Sequence, residues 1–533
     1  MANLTTTTTK AATKSVGDPS ASYESLRTLW KRSRAVLNGQ AQAKAYDDIL
    51  DVYTYKNLLL PFSPKMTQEQ FNFYRAEAEL PGLVSQYAKV LVGGLLRKPP
   101  QLTLPDSVPE GAESWLKNNF SADGVPMLSF LDEAIWEELQ TSRAWIIVDH
   151  PEVDNYDELS PEQRDMISPY AMVVKAENVI NWRKGKGRFS NAETLTSLVM
   201  RYYIPNYDSN PFHPDYVDTV SHYYLDEEGY FVTDTYQRRD TNDTVDVING
   251  NLSPQYIQSL TTQDWSLIST QKPLMQGERI PYIPAFPLNG QVDPIEPALQ
   301  PLVDREVSLY NKISRRNHLL YGAATYTPVV MSDMTDEQFD DIVGAGLGSW
   351  IHLRKEDSIK ALETPTGSLS DMENAISATV EEMAKMGIRM LSPEGSGQSG
   401  VALEIRNAAQ TAQLGLLNNK ISKTMQSVIT VMLNWKYGLG LNESDVDFTL
   451  SADFNPTPMG ADWMRLITDW YQQGIIPRST FIAIAKQNDI LPIDYNDDEG
   501  VSEIQTDPLV GTNASNIDAS ILENLKTTPT KGV

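Results

Sequence analysis

Residues Gly395-Ser396-Gly397-Gln398-Ser399-Gly400 spell GxGxxG. In a dinucleotide site such glycines follow a buried strand and carry backbone N–H groups to a pyrophosphate at a helix N-terminus. Here the preceding apolar residues, Leu369, Met372, Ile376, Val380, Met383 and Met390, recur at helical steps. A helix therefore stands where the motif needs a strand, and the phosphate reading loses its context. The second glycine series, Gly344-x-Gly346-x-Gly348, reads as a turn between a short acidic helix (336–342) and a strand at Trp350. The five histidines, His150, His213, His222, His318 and His352, form no HExxH or other ligand spacing. Asp149-His150 is a lone pair, and seventy acidic residues have no catalytic meaning without a cleft that fixes two of them. GxSxG and GxxxxGK[ST] are both absent. The sequence predicts no enzyme, no cofactor and no metal site. Met372, Met383, Met386 and Met390 are read as adaptable packing.

The elements that would position these residues are bounded first by composition. The chain has 533 residues, too many for one core. It lacks cysteine, which removes disulfides, thiolate metal sites and cysteine nucleophiles. The longest apolar runs, such as Val90 to Leu96, are too short to span a bilayer, so no membrane partner is expected. The formal net charge is −26. A protein that grips nucleic acid does so with Lys and Arg that release counterions, and this chain has the opposite balance. It keeps away from nucleic acid, or it meets nucleic acid without sticking.

Residues 1–21 carry the run Thr5 to Thr9 and are expected as a tail. Apolar helical stripes follow: Leu26, Leu29, Trp30, Val36 and Leu37; then Val84, Tyr87, Ala88, Leu91 and Leu95; then Leu128, Leu131, Ile135 and Leu139. Thr67-x-x-Gln70 and Ser370-x-x-Glu373 read as capping boxes. From Ala144 the pattern changes to strands: Trp145 to Val148, Ala171 to Lys175, Leu198 to Ile204, and a hairpin of His222–Leu225 with Tyr230–Tyr236. Three prolines in Ile280 to Pro287 exclude a central strand and predict an extended connector. A helix over about 301–321 and a second over 368–391 bracket a compact insert at 322–367. The glycine loop at 392–400 leads into a long helix, 401–436, roughly 54 Å in length. Its stripe slips in phase between Leu416 and Ile421, which predicts a kink at Gly415, Asn418 and Asn419. Val446 to Leu450 reads as a strand returning to the β region, helices follow at Trp463–Gln473 and Ser479–Gln487, and 501–533 form a polar tail. Two rods around an insert leave apolar faces that copies packed in a ring would cover.

Several phrases, spread over about 40–500, resemble the portal (head-to-tail connector) proteins of tailed bacteriophages. They are Tyr53-Thr54-Tyr55-Lys56 with Arg97-Lys98-Pro99-Pro100; Arg143-Ala144-Trp145-Ile146-Ile147-Val148-Asp149; Pro169-Tyr170 with Glu177-Asn178-Val179-Ile180-Asn181-Trp182-Arg183; Thr327-Pro328-Val329-Val330; and Met383-x-x-Met386-Gly387. Ser142 departs from the pattern, which has glycine before the arginine.

The resemblance implies an α+β portal fold assembled as a ring, usually a dodecamer, at one capsid vertex. It implies a wing over 22–300, stem helices at 301–321 and 368–391, and a clip at 322–367. It further implies a tunnel loop at 392–400, a kinked helix at 401–436, a wing strand within 437–456 and a crown at 457–500. The tunnel loop, Ser392, Pro393, Glu394, Gly395, Ser396, Gly397, Gln398, Ser399 and Gly400, would be the narrowest point around double-stranded DNA, touched without sequence preference. Lys312, Arg315 and Arg316 are candidate channel cations; a solvated or ion-paired face is the commoner fate of such clusters. The clip residues Tyr326, Thr327, Pro328, Val329, Asp333, Asp336 and Trp350 would dock the terminase and later the head–tail adaptor. The implied partners also include the major capsid protein, and the implied location is the virion. The alternatives are an acidic multidomain hydrolase and a different ring-forming virion adaptor.

Overall fold

The computed structural model describes residues 15–46, 59–60, 67–151, 160, 167–186, 193–208, 210–238, 265–324, 328–331, 335, 358–361, 367–386, 400–451, 461–487, 490–491 and 495. The chain divides into two compact units, Met1–Ala452 and Asp453–Val533.

In the first unit, helix α1 (Ala21–Leu37) opens where the Ser20 side chain accepts the Tyr23 N–H. Trp30, Val36 and Leu37 are buried, with Leu26 and Leu29 half-buried. The described residues begin within the expected tail, at Ser15. Asp18 accepts the Ser15 N–H, the Ser20 N–H donates to the Ile180 carbonyl, and Gly17 lies against the Trp265 indole. Only glycine fits there, because any Cβ would overlap the ring. Helix α2 (Gln40–Tyr46) and α3 (Gln68–Glu77) follow, and α3 begins with the predicted capping box of Thr67 and Gln70. In α4 (Leu83–Leu95) all five predicted stripe residues are buried.

Strand β1 (Gln101–Thr103) and α5 (Ala112–Asn118) lead to α6 (Met127–Thr141). There the buried face is Met127, Phe130, Leu131, Ala134, Ile135 and Leu139, and Leu128 is exposed, one position off the predicted stripe. Strand β2 (Trp145–Asp149) is buried as predicted, between β3 (Tyr170–Val174) and β11 (Ala285–Pro287) in an antiparallel sheet ordered β11-β2-β3. The end of the proline-rich connector is thus a strand, but an edge one, where Pro287 takes nothing from the ladder.

The larger sheet is an antiparallel meander of β4 (Val179–Lys186), β5 (Glu193–Asn206), β6 (Asp215–Leu225), β7 (Phe231–Arg238) and β8 (Trp265–Gln271). Its predicted hairpin turns at Asp226–Gly229, with Gly229 at φ 83°. Tyr23 and Trp30 of α1 pack on Ile180, Val199 and Val220 of this sheet. A short pair, β9 (Leu274–Met275) and β10 (Glu278–Arg279), precedes β11.

Helix α7 (Gln300–Ala324), the strand pair β12 (Pro328–Met331) and β13 (Ser358–Ala361), and helices α8 (Gly367–Lys385) and α9 (Gly400–Tyr437) complete this unit with β14 (Asp447–Thr449). Sequence reading missed β13. It also placed the start of α8 at Ser370, which instead lies one turn inside the helix. β14 pairs with β1, in a two-stranded sheet of its own and not in the meander.

Helix α9 runs unbroken through Gly415, Asn418 and Asn419. Leu416, expected in the stripe, is 65% exposed, and the side chains of Ile405, Ala408 and Ala412 lie outside the described residues. Leu414, Asn418, Ile421, Met425, Val428, Met432 and Trp435 are buried at alternating four- and three-residue steps, and between Ile421 and Leu433 most of the remaining positions are buried as well. Asn418 occupies a core position because its side-chain amide donates to the Leu450 and Ser451 carbonyls.

The second unit contains α10 (Ala461–Gln472) and α11 (Arg478–Gln487), turned at Gly474 and joined by stacking of Tyr471 on Phe481 at 4.8 Å.

Candidate functional site

Helices α7 and α8 are the two helices expected over 301–321 and 368–391. One side of α7 is built into the body. Glu306 sits between Val303, Val307 and Tyr310, all buried, and its carboxylate accepts the Leu83 and Val84 N–H groups at 2.8 and 2.6 Å. Those are orphan donors at the first turn of α4, where Gly82 at φ 73° supplies no side-chain cap, so an anion is stabilised there. Burial raises the Glu306 carboxyl, opposed by the bonds from Val84, Leu83 and Gly82. Further along, Asn311 donates to the Leu59 carbonyl. His318 lies 3.5 Å from Glu77 and edge-on to Tyr74, and Tyr321 is edge-on to Phe73. An open cavity of about 500 Å³ lies between α3 and α7, lined by Glu69, Gln70, Phe73 and His318.

The other side of α7 carries cations across to α8 in antiparallel register. Arg305 meets Glu382 at 3.4 Å, Lys312 reaches the Thr379 hydroxyl and the Ala375 carbonyl, and Arg316 meets Glu373 at 3.2 Å. Two of the three candidate channel cations, Lys312 and Arg316, are thus engaged between the helices; Arg315 is exposed. On α8, Asp371, Glu373, Glu381, Glu382 and Lys385 are exposed, and Asp371 and Glu381 have no ion-pair partner among the described residues. Val380 and Met386 are also exposed, at 40% and 43%.

Within the insert, regular structure beyond the helix ends is described at β12 and β13. Pro328 and Val329 pair with Ala361 and Lys360. Tyr326, Thr327, Asp333, Asp336 and Trp350 lie outside the described residues, as do Ser392, Pro393, Glu394, Gly395, Ser396, Gly397, Gln398 and Ser399. Gly400 is the first residue of α9.

Two of the phrases that carried the family resemblance, Arg143–Asp149 and Glu177–Arg183, meet inside the body. Ser142 closes α6 in the left-handed region, φ 52°, which explains why glycine suits this position. The serine recovers part of that strain: its hydroxyl accepts the Ala298 N–H and its carbonyl accepts an Asn289 N–H. Arg143, 1% exposed, lies over Trp182 at 4.0 Å and Trp145 at 5.3 Å, and donates to the Val292 carbonyl. Burial brings its guanidinium down to about 10, with Asp293 and Glu138 opposing. Glu138 accepts the Ala144 N–H, and burial pushes its carboxyl up to about 8.

Glu177 joins a network that sequence reasoning did not find. Arg34 bonds to both Glu137 and Glu177 through paired N–H groups, at 2.6–2.9 Å, and also to Gln140. Burial alone would lower the Arg34 guanidinium, but hydrogen bonds and charge from the two carboxylates raise it. The available signal was a carboxylate within an apolar stripe: Glu137 and Glu138 in α6, and Glu306 in α7.

Among the described residues, no group of three His, Asp or Glu could hold a metal ion. No helix there is long and apolar enough to cross a membrane.

Residues 298–436 match a family model described as a domain of unknown function (DUF4055). That stretch spans α7, β12, β13, α8 and nearly all of α9. No curated protein matches the chain. Among solved structures, the chain is similar to a component of the neck of an empty GTA particle computed with C6 symmetry. The identity is 11% and the TM-score 0.36, covering 77% of this chain and 92% of the other. A component of the virion of a native gene transfer agent (GTA) particle has 10% identity and a TM-score of 0.33, with 76% and 89% covered. A component of the neck of the native particle, computed with C12 symmetry, has 9% identity and a TM-score of 0.32, with 79% and 94% covered.

Proposed function

We propose that copies of this chain form a ring around a channel for double-stranded DNA at one vertex of a phage-like virion. In this reading the protein is a portal and not an enzyme. The observation that carries it is the α7–α8 pair: one flank is locked into the body by Glu306 and Asn311, and on α8 the exposed carboxylates Asp371 and Glu381 have no ion-pair partner among the described residues. The phrase-by-phrase resemblance to phage portals supports the same assignment. A duplex must slide through such a channel. A cationic wall would hold it by counterion release, whereas an acidic wall repels the phosphates and leaves the duplex mobile. In this reading the terminase and the head–tail adaptor dock on the insert around β12 and β13, and residues 392–400 form the narrowest ring around the duplex.

The test is a packaging assay with Asp371→Lys/Glu381→Lys and, separately, Ser396→Lys/Gln398→Lys. Each variant is expected to assemble as wild type yet package DNA more slowly, and to retain duplex in a salt-dependent way that wild type does not show. Assembled variants that package at the wild-type rate would contradict the reading.

A further inference from the structure

Strands β5 and β6 run past their neighbours. The β4 partner ends at Met200 and the β7 partner begins at Thr219, yet β5 and β6 stay paired out to Asn206 and Asp215. The result is a two-stranded ribbon projecting beyond the five-stranded sheet. Such a ribbon has little stability of its own in water. Its tip is nevertheless held in shape: the Asn206 side chain accepts the Asp208 N–H, and Asn210 accepts the N–H groups of Phe212 and His213. The ribbon and tip expose Tyr203, Ile204, Tyr207, Phe212 and Tyr216, with Phe212 at 84%. Aromatic anchors gathered on an ordered projection are what a protein interface is built from, and isolated exposed apolar residues are not.

We propose that this ribbon is an arm that docks on the outer edge of β4 in a second copy of the chain. The proposal rests on the reading that copies assemble, and adds the surface on which they meet. Charge selects the receptor. The ribbon from Tyr202 to Val217 carries Asp208 and Asp215 and no Lys or Arg, and the chain as a whole is strongly acidic. Most surfaces of a second copy would repel it. Strand β4 is an edge strand with Arg183, Lys184 and Lys186 in four residues, and Arg183 and Lys186 are exposed. It offers cations to the acidic and aromatic tip and, beyond Ile180, whose carbonyl accepts the Ser20 N–H, an edge that pairs with no second strand among the described residues. The contact cannot form within one chain. Arg183 is paired with Ser197, and the tip lies nine residues further along β5, roughly 30 Å away. A tip at one end of the sheet and a receptor toward the other make a head-to-tail contact, the kind that closes rings.

The chain has no cysteine, so the test is clean. The double variant Tyr207→Cys/Lys186→Cys, treated with a short bismaleimide, is expected to give a ladder of covalent oligomers that neither single variant gives. Phe212→Ser is expected to keep its circular dichroism and to raise the concentration at which assemblies fall to monomers by about tenfold. Arg183→Glu should do the same, with Asp208→Arg restoring assembly. No excess cross-linking in the double variant, or unchanged assembly of Phe212→Ser, overturns the proposal. Rings that form without the cross-link sink this contact alone. Cross-linked species without a central channel keep the contact and sink the portal reading.

Discussion

The body and the α7–α8 pair use charge in opposite ways. In the body, Arg34, Glu137 and Glu177 face inward and satisfy one another, and Arg143 is enclosed between two tryptophans. Removing one member strands the others away from water. In the pair, Arg305, Lys312 and Arg316 bridge two helices at half-exposed positions, and acidic residues on α8 remain open. Such contacts are individually weak. The body is therefore built to hold one shape alone. The pair is attached to it at one flank and left uncommitted at the other, which is how a surface meant for neighbours or for a passing polymer differs from a core.

Substitutions sharpen this contrast, beginning with the largest effect. Arg34→Met should lower stability by about 3 to 5 kcal/mol in denaturant unfolding, since two carboxylates lose their partner. A loss near zero would mean the network is solvated and the contrast is false.

Glu138 gives a pH test. Its folded carboxyl sits at about 8, above its unfolded value, so the folded state binds the proton more tightly. Stability from this group is complete below the unfolded value and declines as pH rises toward about 8. Glu138→Gln should abolish that decline, gaining of order 5 kcal/mol relative to wild type at alkaline pH. A wild-type melting profile flat between about pH 5 and 8 would contradict the burial of this group.

Glu306→Ala should cost about 2 kcal/mol, because α4 loses the acceptor for two orphan donors. Hydrogen exchange should localise the loosening to the first turn of α4. Lys312→Met, by contrast, should cost under about 1 kcal/mol and leave the melting curve almost unchanged. A large loss at Lys312 would mean the pair is a core in its own right.

The sequence made some of this legible and hid the rest for physical reasons. The stripe of α4, the capping box at Thr67, the buried strand β2 and the β6–β7 hairpin are local patterns, and local patterns read directly. The core face of α9 read directly at Ile421, Met425, Val428, Met432 and Trp435, but not at Leu416, which is exposed, or at Asn418, which is buried; the partners of Asn418, Leu450 and Ser451, lie more than thirty residues away. Arg34 is likewise paired over a hundred residues from Glu137. Distant pairing leaves no periodicity to read. Of the candidate site, the paired helices were found within a few residues of their bounds, with α8 described to Lys385. Lys312, Arg315 and Arg316 were legible as a cationic cluster on α7, but the carboxylate and hydroxyl on α8 that engage Lys312 and Arg316 came from the fold.

The most direct test is electron microscopy of the purified full-length chain with a gold label at Ser377→Cys on α8. The account predicts closed rings with a central hole and the labels clustered around it. Single particles without a hole, or rings whose labels sit on the outer rim, would contradict it.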